Sequence, residues 1–283
     1  MNIIILAAGE GKRMKSTIPK VLNKIGGSSM LSRVVETALN LKPSKLIIVV
    51  NPLHKEIKKT LNFELCNYPE IKYIKFVKQS NPLGTGHAVK MSLPHLNSKF
   101  KTMVLFGDVP LLSIKTLRSL KNNSKNSPLK ILTAFVEKPF GYGRIIKNKK
   151  NQINKCIEEK DASSEEKKVK EICVGPIFCE TNQLKKWIGL LNNKNKQKEY
   201  YLTQILEIAK KDSVDIKAVL INDNNEMLGA NTLKQKLNIE RIFQKKQSEF
   251  LIEKGVEILD SERFDLRGNL IHKKNILIDI GCL

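Results

Sequence analysis

The chain has 283 residues, of which 41% are hydrophobic and 28% are charged. This is the composition of a globular protein, and it excludes an intrinsically disordered chain, a collagen-like repeat and a disulfide scaffold. No apolar run approaches the roughly 20 residues that a membrane helix needs, so no membrane partner is expected. The five cysteines are odd in number and form no CxxC pair, which favours reduced thiols in a cytoplasmic protein and argues against a zinc site.

The formal net charge of +22 favours the approach of anionic small molecules. It also suggests nucleic-acid binding, but only seven of the 50 basic residues are arginines and the lysines are scattered along the chain. Aromatic residues do not alternate with the basic ones, and the spacings typical of RNA-binding motifs or zinc fingers are missing. We therefore expect no nucleic-acid partner, and a functional basic surface remains the less favoured alternative.

Short apolar runs typical of buried strands alternate with stretches of helical periodicity. Strands are predicted at residues 2–6, 46–50, 72–77, 102–106, 131–136, 172–179 and 216–221. Helices are predicted at residues 31–41, 52–61, 86–93, 114–120, 181–191, 200–210 and 232–253. Residues 142–157 indicate antiparallel hairpin strands, and the charged residues 161–170 a solvated helix or loop. The pattern predicts an α/β fold with a mixed, mostly parallel sheet and helices on both faces.

A glycine-rich loop with the sequence LAAGEGKRM occupies residues 6–14, directly after the first strand. Glycines let backbone N–H groups approach an anion closely. The loop is not a P-loop, because Leu6 and Arg13 stand where that motif needs glycine and Ser or Thr, and Met14 replaces the third glycine of a dinucleotide fingerprint. What remains is a turn in which Arg13 can grip phosphate oxygens in a bidentate fork and Lys20 can place a point charge on a second phosphate.

Three further positions have both a functional and a structural interpretation. Asp108 follows the strand at 102–106, where open α/β sheets bind ligands and where a carboxylate suits Mg²⁺, but it could instead cap the helix near Ser113. Gln79, with the Gly-Thr pair at 84–85, could contact the edge of a base or be an ordinary turn residue. Asn231 could ligate a metal or be the N-cap of the last long helix.

Taken together and in this order, the motifs resemble those of the sugar-1-phosphate nucleotidyltransferases. Within that family the resemblance is closest to the bifunctional bacterial enzymes that join an N-acetylglucosamine-1-phosphate uridyltransferase to a glucosamine-1-phosphate acetyltransferase. It covers the whole chain, but only the uridyltransferase half of those enzymes. Besides the first loop, the matching motifs are PKVL (19–22), LGTGHA (83–88), GDVP (107–110), GYGRI (141–145), EEKDA (158–162), EYYLT (199–203) and RFDLRG (263–268).

The resemblance implies a Rossmann-like nucleotidyltransferase domain and a reaction. A phosphate oxygen of N-acetylglucosamine 1-phosphate attacks the α-phosphorus of UTP, which releases pyrophosphate and forms UDP-N-acetylglucosamine, a precursor of peptidoglycan and lipopolysaccharide. Carried over by motif, Arg13, Lys20 and Asp108 are catalytic, and Asp108 and Asn231 hold Mg²⁺. Substrate contacts are implied for Leu6, Ala7, Ala8, Gly9, Lys20, Gln79, Gly84, Thr85, Phe106, Gly107, Asp108, Gly143, Glu158, Cys173 and Asn231.

Two of these positions depart from the family pattern. Phe106 stands where the family usually has Tyr, and Cys173 where it usually has an Asn that contacts the sugar nucleotide. A thiol is a poor substitute for an amide, and an unmade hydrogen bond in such a site costs about 1–3 kcal/mol. Two alternatives follow: a nucleotidyltransferase for another sugar 1-phosphate, or a catalytically inactive nucleotide-binding remnant.

The resemblance also implies a division of the chain. Residues 1–253 are expected to form the uridyltransferase domain, residues 254–268 a connector, and residues 269–283 the short start of a left-handed β-helix of hexapeptide turns. Solenoid repeats need at least about three stacked turns for stability. We therefore expect residues 269–283 to be weakly held, acetyltransferase activity to be absent, and trimerisation to be weak or lost.

Overall fold

The fold is taken from a computed structural model, which describes residues 1–9, 11, 14, 18–52, 55–122, 128–268, 270–273 and 275–282. Its strands are β1 (Asn2–Ala7), β2 (Lys24–Ile25), β3 (Ser28–Ser29), β4 (Lys45–Val50), β5 (Lys75–Lys78), β6 (Lys101–Phe106), β7 (Leu129–Phe135), β8 (Arg144–Lys147), β9 (Ile153–Ile157), β10 (Glu171–Glu180), β11 (Ile216–Leu220), β12 (Val256–Ile258) and β13 (Ile276–Ile278). Its helices are α1 (Met30–Leu39), α2 (Lys55–Glu64), α3 (Thr85–Ser92), α4 (Ile114–Asn122), α5 (Ser164–Lys167), α6 (Thr181–Gly189), α7 (Ile205–Lys211) and α8 (Leu233–Glu253).

One large sheet has the strand order β11-β7-β10-β6-β1-β4-β5, with β8 and β9 attached beside β10. The pairs β1–β4, β1–β6, β4–β5 and β7–β11 are parallel. Strand β10 runs antiparallel to β6, β7 and β8, and β8–β9 is the antiparallel hairpin expected from residues 142–157. The predicted α/β architecture with a mixed, mostly parallel sheet is confirmed.

The central strand β1 shows why the sheet needs helices on both faces. All six of its residues are buried. Ile3 and Ile5 belong to one apolar cluster, together with residues of α1, α2 and α4, whereas Ile4 and Leu6 belong to another, with residues of α3, α6 and α7. Because successive side chains of a strand point to opposite faces, a continuous apolar run can be buried only between two helical layers.

For two predicted elements the structure shows why they begin later than the sequence pattern indicates. The strand expected from residue 72 begins at Lys75, since Pro69–Tyr73 forms a 3₁₀ helix led by a proline. The helix expected from residue 200 is not yet helical at Tyr200 and is extended at Tyr201; it becomes 3₁₀ at Leu202–Gln204 and α-helical from Ile205. Tertiary hydrogen bonds of the Tyr200 backbone to residues 83 and 86 account for the second difference.

The C-terminal part of the chain packs on α8. Strands β12 and β13 form a parallel pair, and Val256 and Phe264 share a small apolar cluster with Leu251 of α8. The predicted boundary at residue 253 coincides with the end of α8. The division into domains and the start of a β-helix remain predictions.

One buried side chain links the connector to α8. The Gln244 Oε1 atom accepts a hydrogen bond from the Leu266 N–H at 2.7 Å, and its Nε2 atom donates to the Leu266 carbonyl at 3.0 Å. Gln244 is only 1% exposed. The N–H and the carbonyl of Leu266 are therefore both hydrogen-bonded to the Gln244 side-chain amide.

Replacing Gln244 with Leu should loosen the connector and leave the main sheet intact. An unmet backbone hydrogen bond costs about 1–3 kcal/mol, so the Leu266 amide should exchange its hydrogen about 5- to 100-fold faster. Hydrogen–deuterium exchange measures this, and Gln247→Leu, at a half-buried position on the same helix, is the control. Unchanged protection at Leu266 would contradict the assignment.

Candidate active site

The cleft lies at the carboxyl ends of two adjacent parallel strands. Leu6 of β1 pairs with Phe106 of β6, and the Gly107 N–H donates to the Leu6 carbonyl at 2.9 Å. The chain after β1 and the chain after β6 therefore emerge side by side. This is the location at which open α/β sheets bind ligands, and it brings the first glycine turn and Asp108 to one cleft.

The cleft comprises two neighbouring cavities that share Thr85 and Phe106. The first, here called the first chamber, has a volume of about 270 Å³ and is lined by Leu6, Ala7, Ala8, Gly9, Lys20, Val21, Gln79, Pro82, Gly84, Thr85, Ala88, Phe106, Asp108 and Glu199. The other, the second chamber, has a volume of about 220 Å³ and is lined by Thr85, Phe106, Ile131, Gly141, Tyr142, Gly143, Glu158, Cys173, Gly175, Ile177, Leu202, Thr203, Ile205 and Leu206.

Three polar side chains from distant parts of the chain meet in the cleft. The Lys20 Nζ atom lies 2.5 Å from Asp108 Oδ2 and 2.8 Å from Asn231 Oδ1. The side chains of Lys20 and Asp108 are 11% and 20% exposed, so water screens the pair only partly. The Ala230 N–H donates to the Asp108 carbonyl at 3.2 Å, which holds the two oxygen-bearing segments together.

The Asp108 carboxylate oxygen and the Asn231 amide oxygen are of the type that binds Mg²⁺. One carboxylate and one amide oxygen converge on a single cationic nitrogen, so both can face one cation. Within the described part of the chain, no group of three or more His, Cys, Asp or Glu residues could hold a metal. A site with few protein donors suits Mg²⁺, because that ion usually retains waters and takes further ligands from substrate phosphates.

The two capping alternatives are wrong. The Ser113 hydroxyl accepts the Thr116 N–H at 3.1 Å, so Ser113 supplies the cap at the start of α4 that Asp108 was considered for. At the start of α8, Thr232 is the N-cap and forms a capping box with Gln235. The side chains of Asp108 and Asn231 are therefore available to the cleft.

The loop that carries Gly84 and Thr85 is braced by the segment at residues 199–202. The Tyr200 carbonyl accepts the Gly86 N–H at 2.7 Å, the Tyr200 N–H donates to the Leu83 carbonyl at 2.8 Å, and the Leu202 N–H donates to Thr85 Oγ1 at 3.0 Å. Gly84 has a φ of +107°, and a Cβ there would lie 2.6 Å from the Tyr200 carbonyl oxygen. Only glycine fits this conformation and this contact.

Glu158 is the acidic group of the second chamber. Thr203 Oγ1 donates to Glu158 Oε1 at 2.7 Å, which leaves Oε2 on the side of Gly143. Burial raises the pKa of Glu158, although the bond from Thr203 opposes this. A buried carboxylate with one oxygen still available is suited to accept a hydrogen bond from a hydroxyl or amide of a ligand.

Cys173 lines the second chamber, and Cys156 lies beside it. The Cys173 N–H donates to the Gly143 carbonyl at 2.8 Å, and a Cβ at Gly143 would lie 2.7 Å from the Cys156 sulfur. The hydrogen bond between the Cys156 and Cys173 side chains, together with burial, raises the pKa of the Cys156 thiol. Cys156 therefore stays protonated and fills the space beside Gly143.

The Arg144–Glu159 ion pair supports the loop that carries Tyr142 and Gly143 in the second chamber. Arg144, only 2% exposed, contacts Glu159 Oε2 at 2.5 Å and donates to the Tyr142 carbonyl, while Glu159 Oε2 also accepts the Gly141 N–H at 3.1 Å. Burial opposes ionisation of Glu159, but the bonds from Arg144 and Gly141 outweigh it and lower the pKa of this carboxyl group. The pair fixes the loop that presents Tyr142 and Gly143.

The residues predicted from the sequence fall into three groups. Those that line the first chamber are Leu6, Ala7, Ala8, Gly9, Lys20, Gln79, Gly84, Thr85, Phe106 and Asp108. Those that line the second are Gly143, Glu158 and Cys173, together with the shared Thr85 and Phe106. Asn231 contacts Lys20, and Gly107 lies between Phe106 and Asp108. Arg13 lies outside the described residues. The sequence reasoning missed Thr203, Arg144 and Glu159, although all three occur within motifs that carried the family resemblance.

The profile of the MobA-like NTP transferase domain family matches residues 3–167, which is more than half of the chain. The chain therefore belongs to the MobA-like NTP transferase domain family. The match includes β1, the glycine-rich turn, Gln79, Asp108 and Glu158. It ends before Cys173, Thr203 and Asn231, so the remaining parts of the cleft are supplied by the chain that follows.

Similarity to individual proteins extends over the whole chain. It is 41% identical over 283 residues to the Bifunctional protein GlmU of Cupriavidus metallidurans and 40% identical over 283 residues to that of Neisseria meningitidis serogroup A. It is 41% identical over 288 residues to the Bifunctional protein GlmU of Legionella pneumophila strain Lens. Each match covers 100% of this chain but only 60–61% of the relative, so the chain spans less than two thirds of their length. In the described residues, no helix is long and apolar enough to cross a membrane.

Removing the Glu159 carboxylate should destabilise the fold. Glu159→Ala leaves the Arg144 guanidinium buried without its partner, and the free energy of unfolding should fall by about 3 kcal/mol at neutral pH. Because the pKa of Glu159 is lowered in the folded state, the difference from the wild type should shrink as the pH falls below about 4. Urea unfolding across this pH range measures both effects.

The matched control is Glu137→Ala, which breaks the exposed ion pair with Lys170. This change should cost less than about 1 kcal/mol, because solvent screens such pairs. Equal losses in the two variants would show that burial of Arg144 does not set the strength of the Glu159 contact.

Proposed function

We propose that this chain is a Mg²⁺-dependent uridylyltransferase. It forms UDP-N-acetylglucosamine and pyrophosphate from UTP and N-acetylglucosamine 1-phosphate, which supplies precursors for peptidoglycan and lipopolysaccharide. The observation that carries the proposal is a pair of adjoining cavities with the Lys20–Asp108–Asn231 cluster at the first. Identity of about 40% to bifunctional relatives along the entire chain supports it.

In this proposal the first chamber holds the nucleotide. Backbone N–H groups of residues 7–9 face the phosphates at the end of β1, and Gln79 and Gly84 lie where the base binds. Lys20 has three N–H donors, of which two contact Asp108 and Asn231. The third is available to a phosphate oxygen, so Lys20 can neutralise charge near the reacting phosphorus. Arg13 is proposed to steady the departing pyrophosphate.

The second chamber holds the sugar phosphate. Glu158 Oε2 accepts a hydrogen bond from the amino sugar beside Gly143, while Thr203 fixes the orientation of the carboxylate. Phe106 and Thr85 lie between the chambers and align the two substrates. The sugar phosphate displaces pyrophosphate directly, so catalysis needs positioning and charge neutralisation but no nucleophile from the protein.

Asp108 and Asn231 would hold the metal ion. Bound Mg²⁺ would supply positive charge that offsets the charge of the phosphates. The hard oxygens of these two residues fit that ion, and the remaining ligands are expected from phosphates and water.

The C-terminal residues are proposed to begin a hexapeptide β-helix, as the resemblance implies. The parallel pairing of β12 with β13 is consistent with that architecture. A cytoplasmic location also belongs to the proposal. All five cysteines are free thiols, which supports a reducing compartment.

The decisive experiment measures pyrophosphate release from UTP and N-acetylglucosamine 1-phosphate with Mg²⁺, and again with excess chelator. The same assay with dTTP and with glucose 1-phosphate tests the alternative of another sugar or base. Highest turnover with the proposed pair, lost on chelation, supports the assignment. Faster turnover with another sugar phosphate would replace N-acetylglucosamine 1-phosphate as the assigned substrate. No pyrophosphate release with any combination of substrates would favour an inactive nucleotide-binding remnant.

Asp108→Asn should nearly abolish turnover without unfolding the chain. The substitution keeps the shape of the side chain but removes the charge that binds Lys20 and a cation, so kcat should fall by roughly 10²-fold or more. Thermal unfolding should change little. Glu253→Gln, at an exposed carboxylate on α8, is the control, and near-normal turnover by Asp108→Asn would reject the proposed role.

Cys173→Asn should improve binding of the sugar phosphate. An amide can make the hydrogen bond that a thiol makes poorly, which is worth about 1–3 kcal/mol, or roughly a 5- to 100-fold lower KM for N-acetylglucosamine 1-phosphate. The KM for UTP should stay the same. Cys66→Asn, at an exposed position, is the control. An unchanged KM for the sugar phosphate would show that position 173 does not contact it.

A further inference from the structure

Two hydrogen-bond acceptors fix the orientation of the Gln79 side-chain amide. Its Nε2 atom lies 3.1 Å from the Gly84 carbonyl oxygen and 3.0 Å from His87 Nδ1. A carbonyl oxygen can only accept, so the nitrogen side of the amide must face Gly84. An amide nitrogen carries two hydrogens, and these two contacts use both of them.

The opposite side of the amide is therefore the part available to a ligand. Gln79 is 6% exposed and lines the first chamber. With both N–H groups directed at Gly84 and His87, the chamber receives the carbonyl oxygen Oε1. Gln79 then acts toward a base as a hydrogen-bond acceptor only.

This arrangement requires a neutral His87 with an unprotonated Nδ1. Burial and the positive charge of Lys90 lower the pKa of His87. A hydrogen bond to the Asn81 backbone has a smaller effect in the opposite direction. Among the described residues, the titratable groups facing the ring are Lys90 on its own helix α3 and Tyr200 on the adjoining segment, with ring centroids 6.5 Å apart. The neighbouring side chains from α6 and the residues after it are apolar: Ile188 and Leu191.

We propose that His87 is a positioning residue that acts through Gln79 and makes the first chamber select a pyrimidine with a protonated N3 over cytosine. The inference rests on the proposed function, since it concerns the base of the nucleotide. Uracil presents an N3–H donor, which the Gln79 carbonyl accepts. Cytosine presents an N3 lone pair, which faces another acceptor and leaves both groups unpaired in a buried site.

The proposal predicts a pH effect on base selection. Once His87 is protonated, Nδ1 carries a hydrogen and repels the Gln79 NH₂ group. If the Gln79 amide rotated by 180°, its oxygen would accept the new His87 Nδ1–H. That oxygen would then also face the Gly84 carbonyl oxygen, so neither orientation of the amide makes both hydrogen bonds. As the pH falls through the lowered pKa of His87, which lies below 6.5, the preference for uracil should decline.

The test compares wild type, His87→Leu and His87→Asn. Leucine removes the acceptor, whereas the asparagine Oδ1 atom can take the place of Nδ1 and never titrates. Isothermal titration calorimetry of Mg-UTP and Mg-CTP gives the ratio of the two Kd values without needing turnover. Wild type and His87→Asn should favour UTP by a factor on the order of 10²-fold or more, and His87→Leu should lose at least tenfold of that ratio. Between pH 8 and 5 the ratio should fall for the wild type and stay level for His87→Asn.

A purely structural role for His87 would weaken both nucleotides equally and lower the melting temperature. An unchanged ratio in His87→Leu, or a ratio that is insensitive to pH in the wild type, overturns the proposal. Pyrophosphate release by the wild type is measured in parallel. Absence of release while the selective binding behaves as expected rejects the proposed function alone, and absence of UTP binding to the wild type rejects both.

Discussion

The cleft depends on one ammonium group that joins three segments of the chain. Lys20 follows the first glycine-rich loop, Asp108 follows β6, and Asn231 precedes α8, yet their polar atoms lie within 2.5–2.8 Å of the Lys20 nitrogen. Without this cation the Asp108 and Asn231 oxygens, which are both hydrogen-bond acceptors, would face each other in a partly buried site. The charge balance of the cluster therefore explains both how the segments stay together and why the place suits phosphates and a divalent ion.

Much of the fold could be predicted because strands such as β1 carry runs of buried apolar residues and alternate with helical stretches. Local pattern failed where distant contacts decide the conformation: Tyr200 lies in the predicted helix at 200–210, but its backbone bonds to residues 83 and 86 and the helical turns begin only at Leu202. In the cleft, Asp108 could be predicted from its place after a strand. The roles of Thr203 and Glu159 could not, since their partners lie 45 and 15 residues away. Choosing between Asn231 and Thr232 as the cap required the geometry itself.

The second chamber is where this chain differs from the pattern it resembles. Cys173 lines this chamber, and Cys156 lies next to it beside Gly143. A thiol is a weak hydrogen-bonding group, so under the proposed function more of the binding of the sugar phosphate falls to Glu158. The proposed nucleotide chamber, by contrast, presents the charged Lys20–Asp108 pair and a glutamine whose amide is oriented by Gly84 and His87.

The segment at residues 199–203 touches both chambers. At one end Tyr200 supports the turn at Gly84, and at the other Thr203 holds the Glu158 carboxylate. One short segment of backbone thus contacts residues of both chambers. Displacing this segment would move part of the lining of each cavity. If the proposed substrates occupy the two chambers, the scaffold links their binding, and a substitution that reshapes one cavity through this segment also reshapes the other.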